Sequence, residues 1–523
     1  MNFVPAPHTV QHWHLRKPAA TGRRGMVVSQ CKSASEAGVA VLDAGGNAID
    51  AAVATALALA VVEPWNSGLG GVGHAVIHRA GQARAEALDF GPTAPAALDA
   101  KRFRLTGRVA ADLFAWPEVE GDANIHGPLS FVIPTAVAGL AEMHGRWGRL
   151  PLAEIAAPAV ALAKRGLPLD WYTTLKVAVS APVLRKYPES ARIYLRDGLP
   201  PVPPYQGALS YFRLGRLSET LDWLVRAGWR DFYEGEIASS IVADTAVLGG
   251  VLSADDLSNA KARVCGAAEV SWRTHTLQTT GPLTAGPTAF DALQQVANTR
   301  IASAPDAQWY VSLARALKGA YARRLATLGD AEPQAAESCT THLSACDAEG
   351  SMVAITTTLL SSMGSRVVLP NTGILMNNGV MWFDPRPGQP NSIAPGKRPL
   401  TNMFPVILRH GDKPWMIAGA SGGRRIMAAV LQLVAFIVDF GMTPEAAAHQ
   451  PRIDVSGPDQ VTADSRLAPQ ILRALQADGA TEIVEHGVLP INFACPSLLL
   501  QKEGGRVGIS DAASPWSAAV AQA

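Results

Sequence analysis

Apolar positions near the N-terminus follow both strand-like and helical spacing. A short apolar run at 25–30 predicts a strand, and the pattern of 33–46 predicts a helix rich in small residues that two glycines end. A second, alanine-rich helix is predicted at 47–62, where the Asn47 side chain can cap the first turn. A glycine-rich turn then leads into an alternating strand at 74–81. The chain is therefore expected to begin with a strand, two helices and a second strand.

The rest of the chain continues to mix the two patterns. In the middle third, helical patterns alternate with proline-rich loops, and the last of these helices ends near Asp330. From Thr340 onward, two β-type segments flank a turn at 347–350, which predicts a hairpin. A strand at 413–420 is followed by a turn and a long apolar helix at 424–441. Because there is no strict βαβ repeat, we predict a layered α/β (α+β) fold with antiparallel strand pairs.

Composition places the chain among compact globular proteins. It has 523 residues and a mass of 55.0 kDa, with 48% hydrophobic and only 17% charged residues. This composition excludes a disordered chain, which needs low hydrophobicity and high net charge. The 45 basic and 44 acidic side chains leave a net charge of +1, so no basic surface for nucleic acid or an anionic membrane is indicated. We therefore expect a small-molecule partner.

Leader, membrane and cysteine patterns favour the cytoplasm. The first 25 residues carry positive charge, but no apolar run of the kind found in a secretory signal follows it. The longest apolar stretches, 51–62 and 427–438, fall short of the roughly 20 residues that a membrane span requires. The five cysteines are scattered and form neither a disulfide framework nor a zinc pattern. We expect a cytoplasmic protein without a membrane span or a bound metal.

Two short motifs match known patterns, and each has a competing interpretation. Residues 68–73 have the spacing of a dinucleotide-binding GxGxxG, but the preceding helix and following strand are the reverse of the required order, which favours a tight turn. Residues 419–423 match the GxSxG of serine hydrolases in the required strand–turn–helix context. Ser421 would then be the nucleophile. The partners available later in the chain are Asp454 or Asp464 with His486 or His449.

Thr340 opens the predicted hairpin after a short polar segment. Two threonines at the start of a strand are usually no more than strand residues, since β-branched side chains suit a pleated sheet. If the Cys339–Thr340 peptide bond is cut, however, Thr340 gains a free α-amine beside its own hydroxyl. That amine has an ordinary pKa of roughly 7.7–8.0, so it can act as general base for the Oγ. The residues alone leave both interpretations open.

Several segments, taken together, resemble one enzyme family. In chain order they are GMVVSQ, SASEAGVAVLDAGGNAIDAAVA, VVEPWNSGLGGVG, TTHLSACDAEGSMVAITTT, GILMNN, PGKRPL and GASGGRRI. Their order, and above all the TTH segment with its downstream glycine pair, resembles the γ-glutamyltransferases (γ-glutamyltranspeptidases), which are N-terminal-nucleophile hydrolases. The resemblance extends from about Gly25 to Arg452 and includes both short motifs.

The resemblance implies a fold and a mechanism. Precursors of this family cut themselves before the first threonine of the TTH segment. This implies a large subunit at 1–339 and a small subunit at 340–523, which together form one four-layer αββα core domain. Thr340 matches the nucleophile of self-cleavage and turnover, and Thr358 matches a threonine that supports it. The pair matched to the oxyanion hole is Gly422 and Gly423. No cofactor or metal is implied.

The matched substrate positions depart from the family pattern. Glutamate-binding members use an arginine for the α-carboxylate and an acidic residue for the α-amine, and these positions fall near Ala97 and at Trp382. The other positions matched to substrate contacts are Leu360, Asn378, Gly379, Thr401 and Asn402. Losing a charged anchor is costly, because the substrate charge is then buried without a partner. The resemblance therefore implies intact chemistry with altered specificity, in a pocket more apolar or smaller than a glutamate site.

Four functions remain open on the sequence. The first is an autoprocessing amide hydrolase that cleaves a γ-glutamyl-type or other small acyl amide through a Thr340 acyl-enzyme, with transfer of the acyl group to amines as a variant. The second is an oxamate or glutaryl (cephalosporin-type) amidohydrolase without γ-glutamyl specificity. A serine hydrolase using Ser421 and an uncut, inactive binding protein are the third and fourth. The low charge also suits surface buried between subunits, as in a dimer of heterodimers.

Overall fold

The computed structural model describes most of the chain. The described backbone covers residues 15–109, 116–297, 299–327, 339–456, 459–488 and 491–523, with the side chains of 325–327 and 339 outside the description. The predicted helix end near Asp330 and the polar segment before Thr340 also lie outside the described residues. Within the described ranges, no helix has both the length and the apolar character needed to cross a membrane.

Helices occur along the whole described chain. In chain order they are α1 (Lys32–Asp43), α2 (Ala48–Val62), α3 (Ala136–Trp147), α4 (Leu152–Arg165), α5 (Trp171–Leu184), α6 (Pro188–Tyr194), α7 (Leu217–Ala227), α8 (Asp231–Glu234), α9 (Glu236–Val247), α10 (Ala254–Ser258), α11 (Gly286–Val296), α12 (Ala307–Thr327), α13 (Arg425–Val438), α14 (Pro444–His449) and α15 (Pro469–Asp478). Short 3-10 helices lie at Ala100–Arg102, Glu120–Asp122, Pro128–Ser130 and Gly379–Trp382.

Strands alternate with these helices. In chain order they are β1 (Ala20–Gly22), β2 (Met26–Ser29), β3 (Val72–His78), β4 (Glu86–Phe90), β5 (Leu105–Val109), β6 (Pro117–Val119), β7 (Leu167–Leu169), β8 (Ser210–Phe212), β9 (Arg263–Gly266), β10 (Ala268–Trp272), β11 (His275–Thr279), β12 (Cys339–Cys346), β13 (Met352–Leu360), β14 (Val406–His410), β15 (Lys413–Ser421), β16 (Ile453–Asp454), β17 (Val461–Asp464), β18 (Thr481–Val484), β19 (Cys495–Lys502), β20 (Gly505–Ser510) and β21 (Ala518–Ala521).

Two seven-stranded antiparallel sheets form the centre of the described structure. The strand order in the first sheet is β1-β20-β19-β15-β14-β11-β10. The order in the second sheet is β21-β2-β12-β13-β3-β4-β9. The predicted hairpin of β12 and β13 therefore lies in the middle of the second sheet. Both sheets contain strands from before and from after Cys339.

The two sheets pack face to face and carry helices on their outer faces. β12 and β13 pack against β15, and β2 packs against β19 and β20. Helices α1 and α2 cover the second sheet, whereas α13 and α14 cover the first. Every residue of α2 is buried, because this helix is enclosed by the sheet, α1 and α4. The layers follow the order helix, sheet, sheet, helix, which confirms the predicted αββα architecture.

Local sequence explains the first elements of the fold. The Asn47 side chain accepts hydrogen bonds from the N–H groups of Ile49 and Asp50, at 2.9 and 3.0 Å. The Asp50 carboxylate in turn accepts the Asn47 N–H at 3.0 Å, which completes a capping box. The predicted succession of strand, two helices and strand near the N-terminus is confirmed by β2, α1, α2 and β3.

Three strands of the large sheets contradict the prediction for the middle third of the chain. β9, β10 and β11 lie in the middle third of the chain, for which the sequence predicted only helices and loops. For β9 and β10 the prediction was wrong because they are edge strands of the two sheets, with mostly half-buried or exposed residues. β11 lies inside the first sheet, and its residues do not alternate between buried and exposed positions either. An edge strand shows little alternation of apolar and polar side chains, so its sequence gives a weak signal.

Candidate active site

Thr340 is a buried residue at a break in strand register. It lies in β12 with 1% of its surface exposed. The pairing of β12 with β13 shifts by one residue between Cys339 and Thr341. As a result, Thr340 alone faces two residues of β13, Thr358 and Leu359. Irregularities of this kind are β-bulges, which re-aim side chains and are frequent next to active sites.

Thr358 is also buried, and its hydroxyl shapes the end of β13. Its Oγ1 accepts a hydrogen bond from the Leu360 N–H at 2.7 Å. Leu360 has a φ of +88°, a left-handed conformation that costs an L-residue about 1–2 kcal/mol. Met363 and Arg366, in the turn that follows, also have positive φ values. Strained backbone of this kind is frequent at functional sites.

His342 joins the two sheets beside Thr340. Side chains alternate along β12, so both residues point toward the same neighbouring sheet. The His342 ring is fully buried, with Nδ1 bonded to the Thr356 hydroxyl at 3.0 Å and Nε2 to the Ser344 hydroxyl at 3.1 Å. Burial lowers the pKa of His342 to about 3, so the ring is neutral at pH 7. The ring packs on Gly419 of β15 and leaves no room there for a Cβ atom.

Gly419→Ala is expected to destabilise the protein by about 1–3 kcal/mol, the usual cost of overpacking a core. The added methyl group would overlap the His342 ring, which two hydrogen bonds hold in place. Thermal unfolding measures the effect as a lower midpoint. Gly266→Ala, in an edge strand with open space around the glycine, is the matched control. Equal midpoints for the two variants would show that the sheets are not in close contact here.

The turn after β15 carries Gly422 and Gly423. Their φ values are +135° and +67°, which glycine adopts without strain. Their carbonyls accept the N–H groups of Arg425 and Ile426 at 3.3 and 3.1 Å, where α13 begins. Within the described residues, the N–H groups of the two glycines donate no hydrogen bond. Adjacent N–H donors at a helix N-terminus suit a developing negative charge.

Ser421, immediately before this turn, has an amide as its partner. Its Oγ accepts a hydrogen bond from the Gln30 Nε2 group. The histidines and acids that a serine hydrolase would need are bonded to other groups. These pairs are His486 with Asp511, His449 with the Glu445 carbonyl, Asp454 with Ser456, and Asp464 with Arg466. In the part of the chain that the structure describes, no catalytic triad forms at Ser421.

Leu360 and Trp382 belong to one buried apolar cluster. Both side chains are fully buried, together with those of Val380 and Phe383. The indole N–H of Trp382 has no hydrogen-bond partner among the described residues. Ala97, which the sequence also matched to the substrate pocket, is exposed and is not brought into this group. The two positions that the sequence matched to polar residues of a glutamate site therefore lie in this buried apolar cluster.

Asn378 and Gly379 shape the loop that leads to Trp382. The Asn378 Nδ2 donates to the Ile125 carbonyl and to the Ser361 hydroxyl, both at 2.7 Å. Gly379 lies so close to Val132 that a Cβ atom would overlap the valine side chain. These contacts explain the residue types without a ligand. The structure thus gives both positions a role in holding the loop.

Thr401 and Asn402 are buried next to an arginine. The Thr401 Oγ1 donates to the Leu283 carbonyl at 3.1 Å, and its own carbonyl accepts Arg324 Nη2 at 2.8 Å. Arg324 is 1% exposed, and no carboxylate pairs with it among the described residues. Burial, with a smaller effect of the Arg424 charge, lowers its pKa to about 10. Next to it, the buried Nδ2 of Asn402 has no hydrogen-bond partner among the residues that the structure describes.

Gln30 and Glu63 are functional candidates that the sequence did not reveal. Both lie under β12, where the Thr341 hydroxyl is 2.9 Å from Gln30 Oε1 and also contacts Glu63 Oε2. Burial raises the pKa of the Glu63 carboxyl to about 7. The sequence signal that could have revealed them is the acidic residue Glu63, which directly follows the apolar segment 51–62.

Metal-binding groups do not assemble in the described ranges. The described cysteines are free thiols, and in these ranges no three His, Cys, Asp or Glu side chains cluster in a way that could hold a metal ion. The candidate site is built from hydroxyl, amide and backbone groups.

Comparison with known proteins identifies the family. A family model described as gamma-glutamyltranspeptidase matches residues 34–339 and 331–512, which is most of the chain. The chain belongs to the gamma-glutamyltranspeptidase family. This membership explains why the glycine-rich turn at 68–73 and the GxSxG segment at 419–423 occur together with the TTH segment, as the sequence predicted.

The chain is similar to acylases and to glutathione hydrolases. Acylase ACY 1 proenzyme of Pseudomonas sp. (strain V22) is 30% identical over 515 residues, covering 91% of this chain and 90% of the acylase. Glutathione hydrolase proenzyme of Escherichia coli (strain K12) is 27% identical over 544 residues, covering 94% and 90%. Both relatives are described as proenzymes. The chain is accordingly a hydrolase or transferase that acts on amides.

A solved structure supports the fold. Cephalosporin acylase from Bacillus halodurans superimposes with a TM-score of 0.86 over 99% of both chains, at 23% identity. At this identity the likeness concerns the fold, and it agrees with the αββα layers described above. The gamma-glutamyltranspeptidase family member thus has the N-terminal-nucleophile hydrolase fold, with Thr340 in a central strand of the second sheet.

Proposed function

We propose that this protein is an autoprocessing amide hydrolase whose nucleophile is Thr340, and that it prefers an acyl group with a distal carboxylate but no α-amine. The observation that carries the proposal is the position of Thr340. It is buried in a central strand, at a register break that sets it opposite Thr358, on the face that packs against β15.

Self-cleavage follows from the placement of the Thr340 hydroxyl beside the preceding peptide bond. The Oγ attacks the Cys339 carbonyl carbon, the C–N bond breaks, and the nitrogen leaves as the α-amine of Thr340 with the hydroxyl proton. Water then hydrolyses the resulting ester, which regenerates the hydroxyl and leaves a carboxylate on Cys339. The products are chains 1–339 and 340–523, which remain associated because both contribute strands to both sheets.

Turnover repeats this chemistry on an external amide. The Thr340 α-amine, with an ordinary pKa of roughly 7.7–8.0, takes the Oγ proton as the Oγ attacks the acyl carbon. The N–H groups of Gly422 and Gly423 donate to the oxyanion, and the α-amine passes the proton to the leaving amine. Water, or an amine acceptor in a transfer reaction, then releases the acyl group from the ester.

The buried apolar cluster that contains Trp382 and Leu360 argues against a substrate with an α-amine. An ammonium group needs a carboxylate partner when it leaves water, and an unpaired buried charge is costly. The family position for that partner carries Trp382, which is fully buried next to apolar neighbours. Leu360, at the other departing position, belongs to the same cluster. We therefore expect acyl groups without the amine to bind next to this apolar cluster better than γ-glutamyl groups do.

A carboxylate on the acyl group, in contrast, finds favourable groups. The buried Nδ2 of Asn402 has no partner in the described structure and can donate to it. The Arg324 guanidinium lies behind Asn402, with Nη2 3.5 Å from the Asn402 Oδ1, and supplies positive potential. A hydrogen bond to a charged group contributes about 1.5–3 kcal/mol. Glutaryl groups and the oxalyl group of oxamate have this carboxylate and lack the amine.

Cleavage of matched anilides tests the preference. Glutaryl-p-nitroanilide is γ-glutamyl-p-nitroanilide without its α-amine, and butyryl-p-nitroanilide lacks the carboxylate as well. We expect kcat/KM to be about tenfold or more higher for the glutaryl compound than for either control, since each mismatch leaves a buried group unpaired. Release of p-nitroaniline measures the rates, and ammonia release measures oxamate hydrolysis in parallel.

The outcome separates the remaining functions. A γ-glutamyl rate equal to or above the glutaryl rate would contradict the proposed specificity and favour the second candidate, γ-glutamyl hydrolysis or transfer. That candidate is supported by the similarity to the E. coli glutathione hydrolase proenzyme. Asn402→Ala should raise KM for the glutaryl compound and leave the butyryl rate unchanged. An equal effect of this variant on both compounds would argue against a carboxylate contact at Asn402.

A further inference from the structure

A buried polar network lies directly behind the nucleophile strand. The Thr341 hydroxyl is 2.9 Å from Gln30 Oε1 and also contacts Glu63 Oε2. The Asn66 Nδ2 donates to Glu63 Oε1 at 2.8 Å and to Gln30 Oε1 at 3.3 Å. The Gln30 Nε2 donates to the Ser421 hydroxyl. All five residues are buried, so every one of these polar groups depends on the others for its hydrogen bonds.

The network connects the two halves of the candidate site. Thr341 follows Thr340 in β12, and its side chain points to the opposite face of the sheet, toward α2. Gln30 directly follows β2, a strand of the same sheet as β12, and Ser421 ends β15 in the other sheet. Ser421 also precedes the peptide N–H of Gly422. A single amide side chain thus ties the nucleophile strand to the turn that carries the two glycine N–H donors.

Counting donors shows that a proton on Glu63 changes this connection. Thr341 has one hydroxyl hydrogen and two oxygen neighbours, and Gln30 Oε1 can only accept. When Glu63 is protonated, it donates to Thr341, and Thr341 donates to Gln30. When Glu63 is ionised, the Thr341 hydrogen turns to the carboxylate, and Gln30 keeps only the longer bond from Asn66. The Gln30 amide is therefore held best when Glu63 carries a proton.

The surroundings of Glu63 keep its proton available at neutral pH. Burial raises the pKa of Glu63 to about 7, against the opposing effects of its hydrogen bond with Thr341 and of the Lys176 charge on α5. The thiols that face it, Cys31 before α1 and Cys495 at the start of β19, have pKa values of about 12 because they are buried. Both are neutral and add no competing charge near pH 7.

We propose that Glu63 is a positioning residue for the threonine reaction, acting through Thr341 and Gln30 to fix the distance between Thr340 and the Ser421–Gly423 turn. The protonated carboxyl is the active form, since it completes the chain of hydrogen bonds from Glu63 to Ser421. This inference rests on the proposed function, because it assumes that Thr340 and the two glycine N–H groups act on the same carbonyl.

Glu63→Gln and Glu63→Ala test the proposal on the anilide that the wild type cleaves. The amide N–H introduced by Glu63→Gln imitates the protonated carboxyl at every pH. In the wild type, Glu63 loses its proton near pH 7 and kcat falls. The ratio of the variant's kcat to the wild-type kcat should therefore rise about tenfold from pH 6 to pH 8. The ratio cancels the titration of the Thr340 α-amine, which both proteins share. Glu63→Ala should lower kcat about tenfold or more at pH 6 with little change in KM.

A second pair of variants keeps the shape of the site. Thr341→Val removes the hydroxyl without changing the side-chain outline and should lower kcat about tenfold, whereas Thr341→Ser should keep most of it. A kcat ratio that stays flat between pH 6 and pH 8, or a Thr341→Val enzyme as active as the wild type, would overturn the role of Glu63 while leaving the proposed function in place. A wild type that is inactive on every anilide and on oxamate would overturn both.

Discussion

Thr340→Ala is expected to yield one uncut chain of 55.0 kDa with no measurable amidase activity. The substitution removes the hydroxyl oxygen of Thr340, which attacks the Cys339 carbonyl in the proposed self-cleavage. Without cleavage, no α-amine is available as a base. Loss of a nucleophile typically lowers kcat by a factor on the order of 10⁶. Denaturing gel electrophoresis, sequencing of the new N-terminus and the anilide assay measure both effects.

Two variants make this result specific to the Thr340 hydroxyl. Thr340→Ser keeps a hydroxyl and should still cut the chain before residue 340 and retain part of the activity. Ser421→Ala keeps Thr340 and should still form the two chains, because no histidine contacts Ser421 in the described structure. An uncut wild type, or an active Thr340→Ala variant, would contradict the mechanism. Loss of cleavage in Ser421→Ala with retention in Thr340→Ala would favour the serine hydrolase.

Several elements at the centre of the fold could be predicted because they depend on local patterns, whereas the αββα order of the layers was implied by the family resemblance. Asn47 caps the second helix as expected, and the hairpin from Thr340 follows from two β-type segments around a short turn. The register break at Thr340 could not be predicted in the same way. It arises from how β12 pairs with β13, and a pairing register is set by the assembled sheet and not by either strand alone.

In the candidate site, too, some residues could be identified from the sequence and others could not. Thr340, Thr358 and the glycine pair could be identified because a resemblance placed them in known segments. The network around Glu63 was missed because its members lie far apart in sequence, with a separation of 278 positions from Glu63 to Thr341 and of 391 from Gln30 to Ser421. Only folding brings them together, and a buried polar cluster leaves no periodic pattern in the chain.

Gly422→Ala is expected to lower kcat by about 10²–10³-fold, the typical loss when one oxyanion donor is removed. At a φ of +135° an alanine is strained, and its Cβ atom would lie 2.7 Å from the Ala494 Cα. The turn must therefore shift, which moves the Gly422 N–H away from the oxyanion of the proposed mechanism. KM for the glutaryl anilide should change little, because the donor acts mainly in the transition state.

Gly423→Ala and Gly441→Ala separate loss of the donor from general strain. The two glycines have similar φ values, +67° and +63°, but Gly441 follows α13 in open space, away from the turn. Both variants should lose about 1 kcal/mol of stability because alanine disfavours this conformation. Only Gly423→Ala should also lose kcat, because relief of the unfavourable φ moves the backbone N–H that is the second proposed donor. Equal activities for these two variants, together with a normal kcat for Gly422→Ala, would mean that the oxyanion is stabilised by other groups.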